Sequence, residues 1–381
     1  MTTTNVNDNN LAFFKSLTPY VIRDKPVGSY MGNSEVITMA INPTGNRIVY
    51  SRTDKTIRIW KSTPDSAVDP KIIIDPHNKA VESISFNPKT EFSFATVGKD
   101  EYVKIWNSQN GDKIREIKCD FDTLKLVRYS NDGKLLIVVD RTSNIMILNV
   151  EMNYKLVHTF KVNEHVYDLK WFHHEHQFFL IAMHDGSVLL YEVAEETRED
   201  EEERIIYSTK LRSKIKGHNS SITSIAISPR GTYFCLGSSE GVVSVWNVEG
   251  TLINSHVITD VDQSISHLSC SKDGAYLTVA YDSDSNSRVY DYESGQLMYE
   301  IPNTSSGSQT FSSANWYPNK TGFICTSDHG TTVTIMKKLD DGRKLEDGRK
   351  LEDGRKLDDG RKRVQRDQRD QRDQRDQRRR I

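Results

Sequence analysis

The sequence predicts an all-β protein, a propeller of seven four-stranded blades, and three observations carry that reading. First, short runs with period-2 apolar alternation recur seven times. Anchored on the first apolar residue of each opening run, the copies begin at Val36, Val81, Leu124, Val166, Ile222, Ile265 and Phe311, spaced 45, 43, 42, 56, 43 and 46 residues apart. Second, each copy repeats apolar or small residues three and five positions after its anchor and closes on a bulky residue about 24 positions on: Trp60, Trp106, Leu148, Tyr191, Trp246, Tyr290 and Met336. Third, six positions before each closing residue stand Asp54, Asp100, Thr142, Asp185, Glu240, Asp284 and Gly330, five of the seven acidic. An acid there falls in the turn between the second and third strands, where it accepts backbone N–H bonds that the turn leaves open. One such unit cannot bury both faces of its sheet, so the copies must stack and close on one another.

Taken in order, residues 1–10 are polar and are expected to be disordered. Leu11 to Leu17 reads as a short helix and Tyr20 to Arg23 as a strand. No outer strand is evident after Met336, so the N-terminal strand is expected to complete the seventh blade and remove an exposed edge. The propeller should therefore span residues 11–337. The fifth copy, Ile215 to Asn247, is the clearest: a Gly-His pair, an alternating run, a Pro-x-Gly turn, a second run, a tight turn at Glu240-Gly241, and a third run ending in Trp246-Asn247. Outer strands are expected at Lys71–Ile74, Lys113–Lys118, Tyr154–Lys161, Ile205–Lys216, Thr251–Ile258 and Gln296–Ile301. The 56-residue spacing reflects an acidic insert, Ala194 to Glu203, expected as a loop between the third and fourth strands of blade four. It is either a solvated extension or a docking surface for a basic partner.

From Lys338 the chain changes in kind. Four hexads of the type KLDDGR or KLEDGR lead through KRVQ into four RDQ triplets and RRRI. Six residues of α-helix turn by about 600°, so Leu339, Leu345, Leu351 and Leu357 never align in one stripe. This low-complexity tail, 338–381, is expected to be disordered. Lys362 to Ile381 holds nine basic and four acidic residues, against 34 basic and 41 acidic in residues 1–337. Arg363, Arg366, Arg378, Arg379 and Arg380 are thus candidates for weak, sequence-independent RNA contact, with a purely solubilising tail as the alternative.

With 36% hydrophobic and 27% charged residues, the chain can bury a large core. It has no apolar stretch near the ~20 residues that span a bilayer, and no basic-then-apolar leader at its start, so a soluble, intracellular protein without membrane partners is expected. Cys119, Cys235, Cys270 and Cys325 lie far apart in sequence and read as core residues, neither a zinc site nor disulfides. His173-His174-Glu175-His176 lacks the HExxH spacing, and adjacent strand residues point to opposite faces, so no metal is expected. The chain has no phosphate-cradling GxxxxGK[ST], no GxGxxG and no nucleophile elbow. Neither a catalytic residue nor a cofactor is expected.

These repeats resemble the WD40 family. There, a His before the first strand, a Ser or Thr, the turn Asp and the closing Trp form a buried hydrogen-bond chain. The resemblance implies that role for His77, Thr96, Asp100 and Trp106 in blade two, and in part for His218 and Trp246 in blade five, where Leu236 and Glu240 occupy the other two places. A propeller without catalytic groups is an interaction scaffold, and its face carrying the turn acids offers Arg52, Lys55, Lys99, Arg141 and His184 as a candidate partner surface. Two stretches, Ala226 to Asn247 and Ile48 to Trp60 with its Tyr50-Ser51-Arg52 before Asp54, look like blades of the WD40 subunit of the THO complex. That resemblance implies a nuclear subunit of a complex coupling transcription to mRNA packaging and export. Its implied partners are large helical THO subunits and, indirectly, a DEAD-box RNA helicase. The alternative is a WD40 adaptor in a chromatin, signalling or ubiquitin-ligase complex. An F-box module or a long coiled-coil helix would mark a ligase adaptor or a G-protein β subunit, and the N-terminal segment shows neither.

Overall fold

The computed structural model describes residues 12–338, apart from 25–26, 28–33, 64–65, 122, 173–176, 199–203, 250–251, 283–284, 302–311, 320–321 and 328–329. The expected disordered N-terminus, the His173–His176 cluster, the Asp284 turn acid, the Phe311 anchor and the tail from Leu339 lie outside the described residues. Residues 1–337 form one compact unit.

That unit is seven four-stranded antiparallel blades. In six of them the strands run in sequence order from the innermost outward, because each is joined to the next by a short turn or hairpin loop and no crossover is needed. The seventh combines Ala314–Trp316, Gly322–Ser327 and Thr332–Lys338 with an outermost strand from the other end of the chain, Leu17–Ile22. Closure thus comes from the N-terminus, but the strand begins three residues before Tyr20 and ends one before Arg23. Strand extends back to Leu17 because Leu17 and Ile22 turn into the core, so the helix ends by residue 15, and over its described residues 12–15 it seats Phe14 between the Tyr276 and Tyr299 rings.

Every hydrophobic cluster of the core joins two neighbouring blades. One gathers Ile137 and Leu169 of blades three and four, another Cys235 and Leu277 of blades five and six, and another Tyr50 and Ile335 of blades one and seven. The core is therefore seven inter-blade interfaces arranged around an axis, which is why a single copy of the repeat has nowhere to bury its faces. Turns between the second and third strands are tight. At Gly241, φ is +81° and a Cβ would overlap the Val261 carbonyl oxygen, so the expected Glu240-Gly241 turn needs its glycine.

Outer strands fall at the expected places with small shifts, such as Ala67–Ile74 and Ile253–Ile258. The acidic insert differs. Its first half is strand: Ser187–Arg198 and Arg204–Lys216 pair as one long hairpin, with Glu195 opposite Tyr207 and Glu196 opposite Ile206. Backbone pairing continues unbroken from Tyr191 opposite Leu211 out to Arg198 opposite Arg204, so the ladder extends beyond the blade instead of opening into a loop at once.

Candidate interaction face and central channel

The residues expected to form a buried chain in blade two are brought together. His77 precedes the innermost strand, Thr96 lies on the second, Asp100 in the following turn and Trp106 at the close of the third. The Trp106 indole Nε1 donates to Thr96 Oγ1 at 2.8 Å, Thr96 Oγ1 lies 2.8 Å from His77 Nε2, and His77 Nδ1 lies 3.0 Å from both Asp100 oxygens. Asp100 also accepts the Asn78 and Tyr102 backbone N–H groups at 3.1 Å. Burial works to raise the Asp100 carboxyl, but the His77 hydrogen bond and charge, with these N–H donors, hold it below the ordinary carboxylate range.

Blade five brings its pair together through a residue that sequence matching missed. His218 Nε2 and the Trp246 indole both meet Ser244 Oγ at 2.8 Å, so a serine on the third strand takes the place that Leu236 leaves empty on the second. In blade one there is no His. Trp60 Nε1 donates to Tyr50 Oη at 2.9 Å, and Tyr50 donates to Asp24 at 2.7 Å. Asp24 pairs with Arg52 and approaches Arg58, which also holds Asp54 at 2.8 Å. Blade three has Thr142 at the turn-acid place, and Asp140 two residues earlier accepts the Thr142 and Asn144 N–H groups at 2.9 and 2.8 Å instead.

Of the candidate partner surface, Arg52 is corrected: its side chain is only 4% exposed, turned inward onto Asp24 and the Ser34 and Thr331 carbonyls. An arginine ending the second strand finds its counter-charge within the molecule and cannot serve a partner. Lys55, Lys99, Arg141 and His184 are exposed, all in turns between second and third strands and so on one face of the disc. Lys99 and Arg141 converge on Glu82 at 2.9 and 3.0 Å. His184 stacks on Tyr167 and its Nδ1 lies 2.9 Å from Ser221 Oγ.

That face opens into a central channel of about 520 Å³ lined by the innermost strands. Six innermost strands carry a β-bulge just after their anchor, between Val36 and Thr38, Val81 and Ser83, Leu124 and Leu126, Val166 and Asp168, Ile222 and Ser224, and Ile265 and His267. A bulge breaks the in-out alternation, so two consecutive residues of each strand can turn toward the axis. Small hydroxyl side chains recur around the wall, as Thr38, Ser85, Thr223, Ser224, Ser266 and Ser313, among apolar residues such as Ile37, Ile84 and Leu126. Its charges are gathered on blades two to four, as Glu82, Lys125, Arg128, Asp168 and Lys170. Asp168 accepts the Leu169 and Ile225 N–H groups at 2.9 and 3.1 Å and Arg128 Nη2 at 3.2 Å. Burial opposes its ionisation, but Lys170, Arg128 and those N–H groups outweigh it and lower its pKa. Across the channel, burial, with the charge of Lys170, depresses His267 to about 4, leaving a neutral ring that donates to the Ala314 carbonyl at 3.1 Å.

No group of three or more His, Cys, Asp and Glu side chains able to hold a metal occurs among the described residues, and no helix among them is long and apolar enough to cross a membrane. Cys119, Cys235 and Cys325 are buried free thiols and Cys270 is half-buried. Cys235 and Cys270, distant in sequence, are neighbours across blades five and six, and burial with this contact raises the Cys235 thiol.

Seven four-stranded blades, with the His, Thr, Asp and Trp chain complete in blade two and partly kept in blade five, make a WD40-type β-propeller. The model of the WD domain, G-beta repeat, matches residues 24–61, 69–107 and 209–247, so the chain carries WD40 repeats. Among curated proteins it is similar to THO complex subunit 3 of Arabidopsis thaliana, 24% identical over 276 residues that cover 72% of this chain and 82% of that protein. It is also similar to protein TEX1 of Saccharomyces cerevisiae, 22% identical over 315 residues, 78% of this chain and 71% of that one. Among solved structures, the β-propeller domain of Cps50 (Swd1) from Myceliophteria thermophila superposes with a TM-score of 0.64 at 13% identity, covering 85% of this chain and all of that one.

Proposed function

We propose that this propeller is a non-catalytic scaffold subunit of a THO-type complex in the nucleus, where it serves the coupling of transcription to mRNA packaging and export. The similarity to THO complex subunit 3 over 72% of the chain carries the reading, because it runs through most of the ring and is not confined to one repeat. Large helical subunits of the complex would dock on the face bearing Lys55, Lys99, Arg141 and His184, and a DEAD-box RNA helicase would be reached through them. The rigid disc suits this work, since preformed surfaces bind without the ordering that a disordered segment must undergo. Affinity purification of the tagged chain from its own cells, with mass spectrometry of what co-purifies, tests the reading. Recovery of THO subunits is expected; recovery of a chromatin or ubiquitin-ligase assembly in their place overturns it.

The C-terminal tail adds a second activity to this proposal. Lys362 to Ile381 carries a net charge of +5 and no aromatic residue, so RNA would be attracted by charge with little base preference. Single-strand affinity falls with salt at a slope of about 0.7 per phosphate neutralised, and deleting 362–381 should flatten that slope while leaving assembly intact. An unchanged slope assigns RNA contact to the partners.

A further inference from the structure

We propose that the central channel is a binding site for a phosphate-bearing ligand, held between blades three and four by Arg128 and Lys170 with Lys125 at the mouth. The proposal is independent of the assembly reading above.

It starts from an imbalance. Two carboxylates face the channel, four cations converge on them, and a fifth, Lys125, lies beside them. Glu82 is shared by Lys99 at 2.9 Å and Arg141 at 3.0 Å, both at the rim. Asp168 is shared by Arg128 at 3.2 Å and Lys170 at 3.9 Å, and its oxygens also accept two backbone N–H groups. Lys125 forms no ion pair with a carboxylate among the described residues. Its Nζ donates to the Val166 carbonyl at 2.8 Å, lies 2.9 Å from His165 Nε2 and sits 5.0 Å over the Tyr167 ring. This excess sits in a body whose residues 1–337 carry 34 basic and 41 acidic groups, so it is local to the channel.

The donors are also incompletely used. Lys170 Nζ reaches no acceptor within hydrogen-bond distance among the described residues, since its nearest carboxylate oxygen is the one at 3.9 Å. Arg128 spends Nη1 on Ser83 Oγ and the Val127 carbonyl and Nη2 on Asp168, but its buried Nε has no partner. The Arg128 and Lys170 side chains are 21% and 31% exposed, so a ligand entering the channel can reach their charged ends. The ligand that does so must bring more than one negative charge and several acceptor oxygens. A phosphate monoester carries roughly −1.5 to −2 at neutral pH and three strong acceptors, where a carboxylate brings one charge and two oxygens. Thr223 and Ser224 of the adjoining blade five and Ser266 of blade six offer polar surface and no opposing charge, and the volume of about 520 Å³ admits a small polyphosphorylated molecule or one phosphorylated side chain.

Calorimetric titration of the full-length protein tests this, with pyrophosphate, inositol hexakisphosphate, a phosphoserine peptide and the same peptide with glutamate at that place. At least one phosphorylated probe should bind saturably. Affinity should fall about tenfold or more in Lys170→Gln and in Lys125→Gln, as expected for loss of a charge-assisted contact. Lys113→Gln, on the outer rim, should bind within about twofold of the parent. Binding of the small probes alone identifies a free phosphorylated molecule as the source, and binding of the phosphopeptide identifies a modified segment of a protein; either supports the site. Three results overturn it: no phosphorylated probe saturates; both lysine variants bind like the parent, which places binding in the basic tail; or the glutamate peptide binds as tightly as its phosphorylated form. Circular dichroism confirms that the lysine variants are folded. Both side chains line open channel, so their truncation leaves the core unaltered.

Discussion

Thr96 is the centre of the blade-two chain, and replacing it isolates the hydrogen bonding from the packing. Thr96→Val exchanges a hydroxyl for a methyl of nearly the same shape at a site with no exposed surface. No cavity opens, but the Trp106 indole N–H loses its acceptor at 2.8 Å and His77 Nε2 loses its partner at 2.8 Å. Each buried polar group left alone costs about 1–3 kcal/mol, so the variant should lose about 2–6 kcal/mol. Thr96→Ser keeps the hydroxyl and removes one methyl, which costs about 1 kcal/mol. The predicted order of stability is therefore parent, then Ser, then Val. Urea unfolding followed by tryptophan fluorescence measures it from the shift in midpoint at constant slope. Adding Trp106→Phe to Thr96→Val should cost less than the sum of the single changes, because the donor that lacked an acceptor is gone. If Val is as stable as Ser, the chain of polar groups contributes nothing beyond packing and the reasoning fails.

Three further outcomes are expected. Asp54, Asp100, Asp168 and Asp185 are all held below the ordinary carboxylate pKa, Asp185 at about 2, against burial that works the other way. Their stabilisation is complete above the unfolded-state value of 3.8 and lost as pH falls through the lowered folded values, so the melting temperature should drop steeply between pH 3.8 and 2, and a flat profile there refutes it. Deleting residues 1–26 removes Phe14, Leu17 and Ile22 from the core, each contributing about 1.5–3 kcal/mol, and exposes the third strand of blade seven; the product should aggregate, and a truncation that melts like the parent shows that closure lies elsewhere. Lys99→Glu with Arg141→Glu should reduce partner recovery in a pull-down without loss of folded signal, since both side chains are exposed and meet only Glu82 among the described carboxylates, whereas undiminished recovery counts against this face.

The fold was legible because it is stated seven times. A shift of one residue in any copy would turn its apolar set outward, so agreement of the anchors, closing residues and turn acids fixes the register of the ring. What one copy obscures, another supplies. Sequence patterns were weakest where no second copy existed: at the N-terminal strand, whose start depends on Leu17 reaching the core, and at the blade-four hairpin, where charge hides a continuing ladder. The surface site was less legible for a related reason. Arg52 looks like a turn cation until Asp24, 28 positions away, is seen beside it. The channel charges looked like ordinary strand polar residues, since an inner-strand bulge that turns consecutive side chains inward leaves no mark in alternation alone.

The blade networks themselves follow a rule that position-by-position matching conceals. Thr96 stands directly opposite Lys104 across the ladder, Leu236 opposite Ser244, and Tyr50 opposite Arg58. Opposed residues project from the same side of a sheet, so either member of the pair can place an oxygen under the closing Trp. Blade two uses the second-strand member, blade five the third-strand member, and blade one a phenol longer than either. What is fixed is the indole N–H, which is accepted by a hydroxyl in all three. Blade three closes on Leu148, which has no such donor, and there the corresponding pair is Val138 and Met146, both apolar and buried. Polar chemistry at this place therefore tracks the closing residue: a Trp imposes a hydroxyl on the pair beneath it, and a Leu releases that pair to the core. Blade five's Ser244 follows from Trp246 by the same requirement, even though the hydroxyl has crossed to the neighbouring strand.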